Sequence, residues 1–97
     1  MYTIWLGNRK GPGRVSSTAG DLLLWDQALY SNKLVSSQTL QEAFTPATLN
    51  DGTISYYGFG WAISNDNNLG KIVYHTGDNP GYRTQIRRFT DANKTII

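Results

Sequence analysis

The residues of this sequence whose types are best suited to take part in chemistry form one run, His75-Thr76-Gly77-Asp78. His75 is the only histidine of the chain, and its imidazole can donate a hydrogen bond whether charged or neutral. Thr76 adds a hydroxyl donor, and Gly77 lets a backbone approach closely without a Cβ clash. A strand with such a run can pair its backbone with an amide substrate if it flanks a cleft, but alone the run is a weak signal of function. A structural interpretation of His75 stays open, because a histidine on a strand beside a turn is more often half-buried and hydrogen-bonded.

The residue counts exclude several other kinds of site. The chain has 97 residues, of which 39% are hydrophobic and 12% aromatic, with a net charge of +2, as expected for one small folded domain. It has no cysteine and a single histidine, so we expect no disulfide, no metal and no cofactor. Arg83, Arg87 and Arg88 are the nearest approach to a basic cluster, and Arg87 and Arg88 are interpreted as an exposed strand edge. We therefore expect no nucleic-acid partner, and no apolar run approaches the ~20 residues of a membrane span.

A helix is predicted upstream of this run, over residues 19–30. Thr18 and Asp21 have the spacing of a capping box, in which the Thr18 hydroxyl accepts a hydrogen bond from a free backbone N–H. Apolar residues then recur at helical spacing. The residues predicted to form the buried face are Leu22, Trp25 and Leu29, and Trp25 and Trp61 are predicted to be core aromatics.

A second, shorter helix and a set of strands follow. The helix is expected to begin at Ser36 or Ser37 and to reach Phe44, because Pro46 disfavours helix at the residue before it. The period then changes to alternation, which is typical of strands. The predicted strands are 57–63, 71–76 and 82–89, with a further strand that begins at 95. The expected fold class is α+β, with short helices packed on an antiparallel β meander.

Three motifs, in the order in which they occur, resemble one known family. They are a Gly-Arg-Val-Ser-Ser-Thr-Ala-Gly-Asp run at 13–21, a Tyr-Gly-Phe-Gly-Trp run at 57–61, and His75-Thr76-Gly77 followed by Asn-Pro-Gly-Tyr at 79–82. Together they resemble the C-terminal part of the serine β-lactamases and penicillin-binding-protein-like hydrolases. That group includes class C β-lactamases, D-alanyl-D-alanine carboxypeptidases, D-amino-acid peptidases and related esterases. Residues 1–97 are accordingly interpreted as a single domain or fragment, the C-terminal portion of a β-lactamase-like domain.

The resemblance implies acylation of a serine in a Ser-x-x-Lys motif, helped by a Tyr-x-Asn motif, with Lys-Thr-Gly or His-x-Gly on a strand beside the site. Only the last motif has a counterpart here, since no serine precedes a lysine by three positions. Residues 30–32 spell Tyr-Ser-Asn and so match Tyr-x-Asn. This match is interpreted as accidental, because it lies downstream of the Ser-Thr-Ala-Gly-Asp segment, whereas the family's Tyr-x-Asn motif lies upstream of it. The expected site residues are His75, Thr76, Gly77 and Asp78. The backbone N–H of Asp78 would be the second donor of an oxyanion hole, although its carboxylate stands where many relatives have glycine.

The resemblance also implies properties of a larger parent protein. The parent would be an extracytoplasmic serine hydrolase that acts on a β-lactam, a D-Ala-D-Ala peptide or an ester, although the first six residues do not have the features of a signal peptide. Residues 1–97 alone are expected to be inactive, because they lack the nucleophile and its base. The strand that begins at 95 has only three residues, so self-association through a truncated sheet edge is also expected.

A binding module is the alternative function. The run at 57–63 is similar to the strand of RNA-recognition domains whose aromatic side chains stack on bases. Tyr56, Tyr57 and Trp61 could also stack on a carbohydrate. Against RNA, Tyr57 stands where that motif begins with a basic residue, and two helices precede all the clear strands.

Overall fold

The computed structural model describes Gly13 and residues 15–97, which form two helices followed by a four-stranded antiparallel sheet. The elements are α1 (Ala19–Leu29), α2 (Ser37–Ala43), β1 (Ala62–Asp66), β2 (Gly70–Asn79), β3 (Tyr82–Phe89) and β4 (Lys94–Ile96). The strands lie in the order β1-β2-β3-β4, so each pairs with its neighbour in sequence. The predicted α+β fold with an antiparallel meander is confirmed. Neither of these two helices has the length and apolarity needed to cross a membrane.

Side-chain caps set the starts of both helices. The Thr18 hydroxyl accepts a hydrogen bond from the backbone N–H of Asp21 at 3.1 Å, which confirms the hydroxyl half of the predicted capping box. The Ser36 hydroxyl accepts from the N–H of Thr39 at 3.2 Å and places the start of α2 as predicted. Such caps contribute about 1 kcal/mol each, because they satisfy backbone donors that have no partner within the helix.

The buried face of α1 differs from the prediction. Leu29 is buried, but Trp25 is 41% exposed, and Asp26 is fully buried in its place. Trp25 lies at the rim of the core, where its ring stacks on Trp61 with centroids 5.9 Å apart. The prediction for Trp61 as a core aromatic is confirmed, since only 8% of it is exposed. α1 is rotated about its axis so that Asp26 faces the sheet, because the Asp26 carboxylate has a partner there.

That partner is Arg88, for which the sequence favours the interpretation of an exposed strand edge. The interpretation is wrong, because β3 is an inner strand and the Arg88 side chain is only 1% exposed. Its Nε donates to Asp26 Oδ1 at 2.5 Å, and the Thr95 hydroxyl donates to the same oxygen at 2.9 Å. The rings of Tyr30 and Phe44 lie 4.6 and 5.6 Å from the guanidinium. These contacts join α1 to β3 and β4.

The first strand also begins later than predicted. Residues 57–61 are an irregular loop, and β1 covers Ala62–Asp66 instead of 57–63. The loop packs against the end of α2, where Phe59 N–H donates to the Ala43 carbonyl at 3.0 Å. A Cβ on Gly58 would collide with that same carbonyl oxygen. Packing against α2 therefore holds this aromatic, strand-like sequence in an irregular conformation.

The hydrophobic core lies between the helices and one face of the sheet. Its buried members are Leu29, Trp61, Ile63 and Val73, and the partly buried residues packed on them are Leu40, Ala43, Phe44 and Ile86. Val73 pairs with Ile63 on one side and with Arg88 on the other. Side chains alternate along a strand, so the helix-facing positions of β2 continue from Val73 to His75 and Gly77.

Candidate functional site

The second strand is paired along its whole length on one side but only in part on the other. Residues 72–79 of β2 pair with β3, whereas only residues 70–74 pair with β1. The second half of the strand, residues 75–79, therefore has no strand partner on the β1 side among the residues that the structure describes. We call this segment the free edge; it contains all four of the predicted site residues.

The backbone of the free edge presents hydrogen-bonding groups outwards. The N–H of Ile63 donates to the carbonyl oxygen of Tyr56 at 2.9 Å, so the polar backbone groups of Ile63 point away from β2. Those of the neighbouring Ala62 point towards its partner on β2, Tyr74. Because these directions alternate along a strand, the N–H and C=O groups of Thr76 and Asp78 point to the same side as those of Tyr74. At Tyr74 that side is filled by β1, but at Thr76 and Asp78 no strand lies there among the described residues.

The side chains of the four residues are divided between the two faces of the sheet. His75 and Gly77 belong to the face that packs on the helices, with His75 exposed and opposite Ile86. Thr76 and Asp78 belong to the other face, and both are exposed. The four residues therefore do not form one side-chain cluster. What they share is a single edge, along which an extended ligand could pair with the backbone.

At Gly77 the sheet itself leaves little room for a side chain unless the Thr84 side chain rotates. A Cβ at this position would collide with Oγ1 of Thr84, its partner on β3. The hairpin that joins the two strands closes through Pro80 and Gly81, with Gly81 at a φ of +82°. Proline followed by a residue of positive φ is the pattern of a type II turn. This turn sets the register of the free edge on β3.

The same register brings an arginine to Asp78 that the sequence analysis did not connect with the site. Asp78 pairs with Arg83, and Oδ1 of the carboxylate lies 3.9 Å from Nε of the guanidinium. Both side chains are largely in solvent, with 75% of Asp78 and 90% of Arg83 exposed. The two-residue Pro80-Gly81 turn was the available sequence signal, because it fixes which residues face each other across the hairpin.

The end of the free edge also contacts the segment that precedes α1. Nδ2 of Asn79 donates to the carbonyl oxygen of Gly13 at 3.2 Å. This contact brings the beginning of the Gly-Arg-Val-Ser-Ser-Thr-Ala-Gly-Asp run beside the turn of the hairpin. Two of the three sequence motifs therefore meet at one end of β2.

The described residues do not favour a metal site or an aromatic surface for binding RNA. The described residues contain no group of three His, Asp or Glu side chains that could hold a metal ion. The RNA interpretation needs aromatic side chains displayed on a strand, but residues 57–61 are a loop and Trp61 is buried against Trp25 and Phe44. Tyr56 and Tyr57 remain exposed, without a strand platform.

Comparisons with known proteins agree with the motifs. A family model described as beta-lactamase matches residues 2–97. The chain is 42% identical over 96 residues to penicillin-binding protein 4* of Bacillus subtilis (strain 168), a match that covers 99% of this chain and 21% of the relative. The chain thus spans about a fifth of the length of that curated relative. No solved structure matches the chain significantly.

Proposed function

The chain belongs to the beta-lactamase family, and from this premise we propose that it is part of a larger serine hydrolase in which the free edge of β2 binds the acyl group of the substrate. The observation that carries the proposal is the unequal pairing of β2. An antiparallel sheet normally uses both edges of an inner strand, and leaving one edge open leaves polar backbone groups without a partner. An extended substrate can satisfy those groups by adding to the edge.

Three residues of the free edge, His75, Thr76 and Asp78, have individual proposed roles in that reaction. The outward N–H of Asp78 donates to the oxygen of the acyl carbonyl as it becomes negatively charged, and so forms one half of an oxyanion hole. The C=O and N–H of the edge hold the acyl chain in an extended form. The imidazole of His75 donates a hydrogen bond towards the nucleophile or a substrate carboxylate, and the Thr76 hydroxyl is a further donor.

The nucleophile and its base lie outside these 97 residues in this proposal, because no Ser-x-x-Lys motif occurs in the sequence. The full-length protein would acylate that serine with a β-lactam, a D-Ala-D-Ala peptide or an ester, and would act outside the cytoplasm. The similarity to a penicillin-binding protein supports a cell-wall peptide or a β-lactam as the first substrates to test.

Covalent labelling tests the proposal directly. The full-length protein should react with a fluorescent penicillin or a fluorophosphonate, whereas residues 1–97 alone should not, because the groups needed for acylation act only as a unit. Mass spectrometry after incubation reports the adduct. Two results would refute the proposal: no adduct on the full-length protein with either probe, or a stoichiometric adduct on Ser16 or Ser17 of the short chain.

The role of His75 needs a separate variant. His75→Ala in the full-length protein should lower kcat/KM by about ten- to a thousandfold, the usual range for loss of a positioned donor or acid–base group. The urea unfolding midpoint should stay near that of the wild type, because the side chain is exposed and makes no hydrogen bond among the described residues. Unchanged kinetics in a folded variant would return His75 to the structural interpretation.

A further inference from the structure

Asp78, whose backbone N–H points outwards from the free edge, is also one half of a pair of opposite charges. The carboxylate of Asp78 and the guanidinium of Arg83 lie 3.9 Å apart on the sheet face opposite the helices. On that face Thr76 is the next residue of the free edge, and its partner on β3 is Gln85. A group carried by a substrate next to its acyl carbonyl would therefore meet Asp78 before any other charged side chain of this hairpin.

We propose that Asp78 selects substrates by charge, favouring a cationic group beside the acyl carbonyl and disfavouring a carboxylate there, with Arg83 as its exchangeable counter-ion. This inference rests on the proposed function of the free edge. It names a property of that site, the preferred charge of the substrate, and a residue on β3, Arg83, that modulates it.

The geometry of the pair explains why a substrate could take the place of Arg83. The contact is long, involves only Nε instead of a two-pronged guanidinium contact, and joins side chains that are 75% and 90% exposed. Exposed pairs of this kind are weak, because water screens them and both side chains lose freedom. Arg83 can therefore leave Asp78 at little cost when a cationic substrate arrives. An anionic substrate meets the carboxylate without such an exchange and is repelled.

Matched esters measure this preference in the full-length protein. The 4-nitrophenyl esters of 3-(trimethylammonio)benzoate, 3-tert-butylbenzoate and 3-carboxybenzoate place a cationic, a neutral and an anionic group at the same position. We expect Asp78→Asn to lower the ratio of kcat/KM for the cationic ester to that for the anionic ester by about three- to tenfold, as a weak surface attraction and a weak repulsion are removed together. The neutral ester is the reference in each variant: the change in kcat/KM of each charged ester is expressed relative to it, so that any general loss of turnover in Asp78→Asn cancels.

Two further variants complete the experiment. Arg83→Gln should raise the same ratio, because Asp78 loses its counter-ion, and Asp21→Asn should leave it unchanged, because it makes the same charge change on α1. Added salt should shrink the differences. A merely structural role for Asp78 would change all three esters alike, and an unchanged ratio in Asp78→Asn would overturn the inference while leaving the hydrolase proposal standing. A wild-type protein that hydrolyses none of the esters and takes up neither covalent probe would instead overturn the proposed function, and this inference with it.

Discussion

The buried pair of Asp26 and Arg88 gives the sharpest prediction for stability. Asp26 is 0% exposed and Arg88 1%, and the carboxylate oxygen accepts hydrogen bonds from both Arg88 Nε and the Thr95 hydroxyl. Asp26→Leu would leave the guanidinium buried without its counter-ion and the Thr95 hydroxyl without its acceptor. Removing one partner of such a pair costs about 3–5 kcal/mol. In a chain of this size that corresponds to a fall in melting temperature of at least about 12 °C.

The assay is urea unfolding followed by tryptophan fluorescence. The stacked rings of Trp25 and Trp61 report on the core directly beside Asp26. Asp21→Asn is the matched control: Asp21 is exposed in the first turn of α1, and its charge contributes less than about 1 kcal/mol there.

A double variant separates the ion pair from simple packing. In Asp26→Leu/Arg88→Met both charges are gone, and apolar replacement of a buried pair is often neutral or stabilising. We expect it to recover most of the stability that the single variant loses. The reasoning would be refuted if Asp26→Leu cost no more than Asp21→Asn, or if the double variant were less stable than either single variant.

Two further predictions concern the turn at Asp66 and the edge at β4. The pKa of Asp66 lies below its ordinary value of 3.8, because the backbone N–H groups of Leu69 and Asn68 donate to its carboxylate. These hydrogen bonds stabilise the folded turn at pH values above the unfolded pKa of Asp66, and this stabilisation is lost as the pH falls through the lower folded pKa. The NMR amide shift of Leu69 should therefore titrate with a midpoint below 3.8. A midpoint at or above 3.8 would contradict the prediction. Ile96 is 60% exposed on β4, which has only β3 as a partner among the described residues, so residues 1–97 alone should self-associate through this edge. A strictly monomeric light-scattering signal at high concentration, with cooperative melting, would refute the predicted self-association through β4.

The four proposed site residues follow from the resemblance to a family. The run from His75 to Asp78 is a weak signal alone, and it gains force from the accompanying motifs at 13–21 and 57–61. Whether the edge of that strand is open could not be predicted, because it depends on where β1 stops pairing. The loop at 57–61 ends the pairing at Ala62, and packing of that loop on α2 decides its conformation.

Features that act between near neighbours in the chain can be predicted from the sequence alone. The hydroxyl caps at Thr18 and Ser36, the end of α2 before Pro46 and a turn that ends at Gly81 all depend on residues within a few positions of one another. The extent of the turn is not predicted correctly: the sequence predicts a turn over 77–81 after a strand over 71–76, but β2 continues to Asn79. Signals of this range can be recognised without a fold, and together with the alternation of the strands and the family resemblance they predicted the α+β meander.

Which polar residues are buried depends on contacts between distant parts of the chain. Asp26 and Arg88 are 62 positions apart, and each alone is typical of a solvated surface. Burial becomes possible because each neutralises the other, with Thr95 completing the hydrogen bonds. The same pairing turned α1 so that Asp26, instead of Trp25, faces the sheet. A charged side chain can be buried only when an oppositely charged partner is buried beside it, and the fold as a whole determines which residue is that partner.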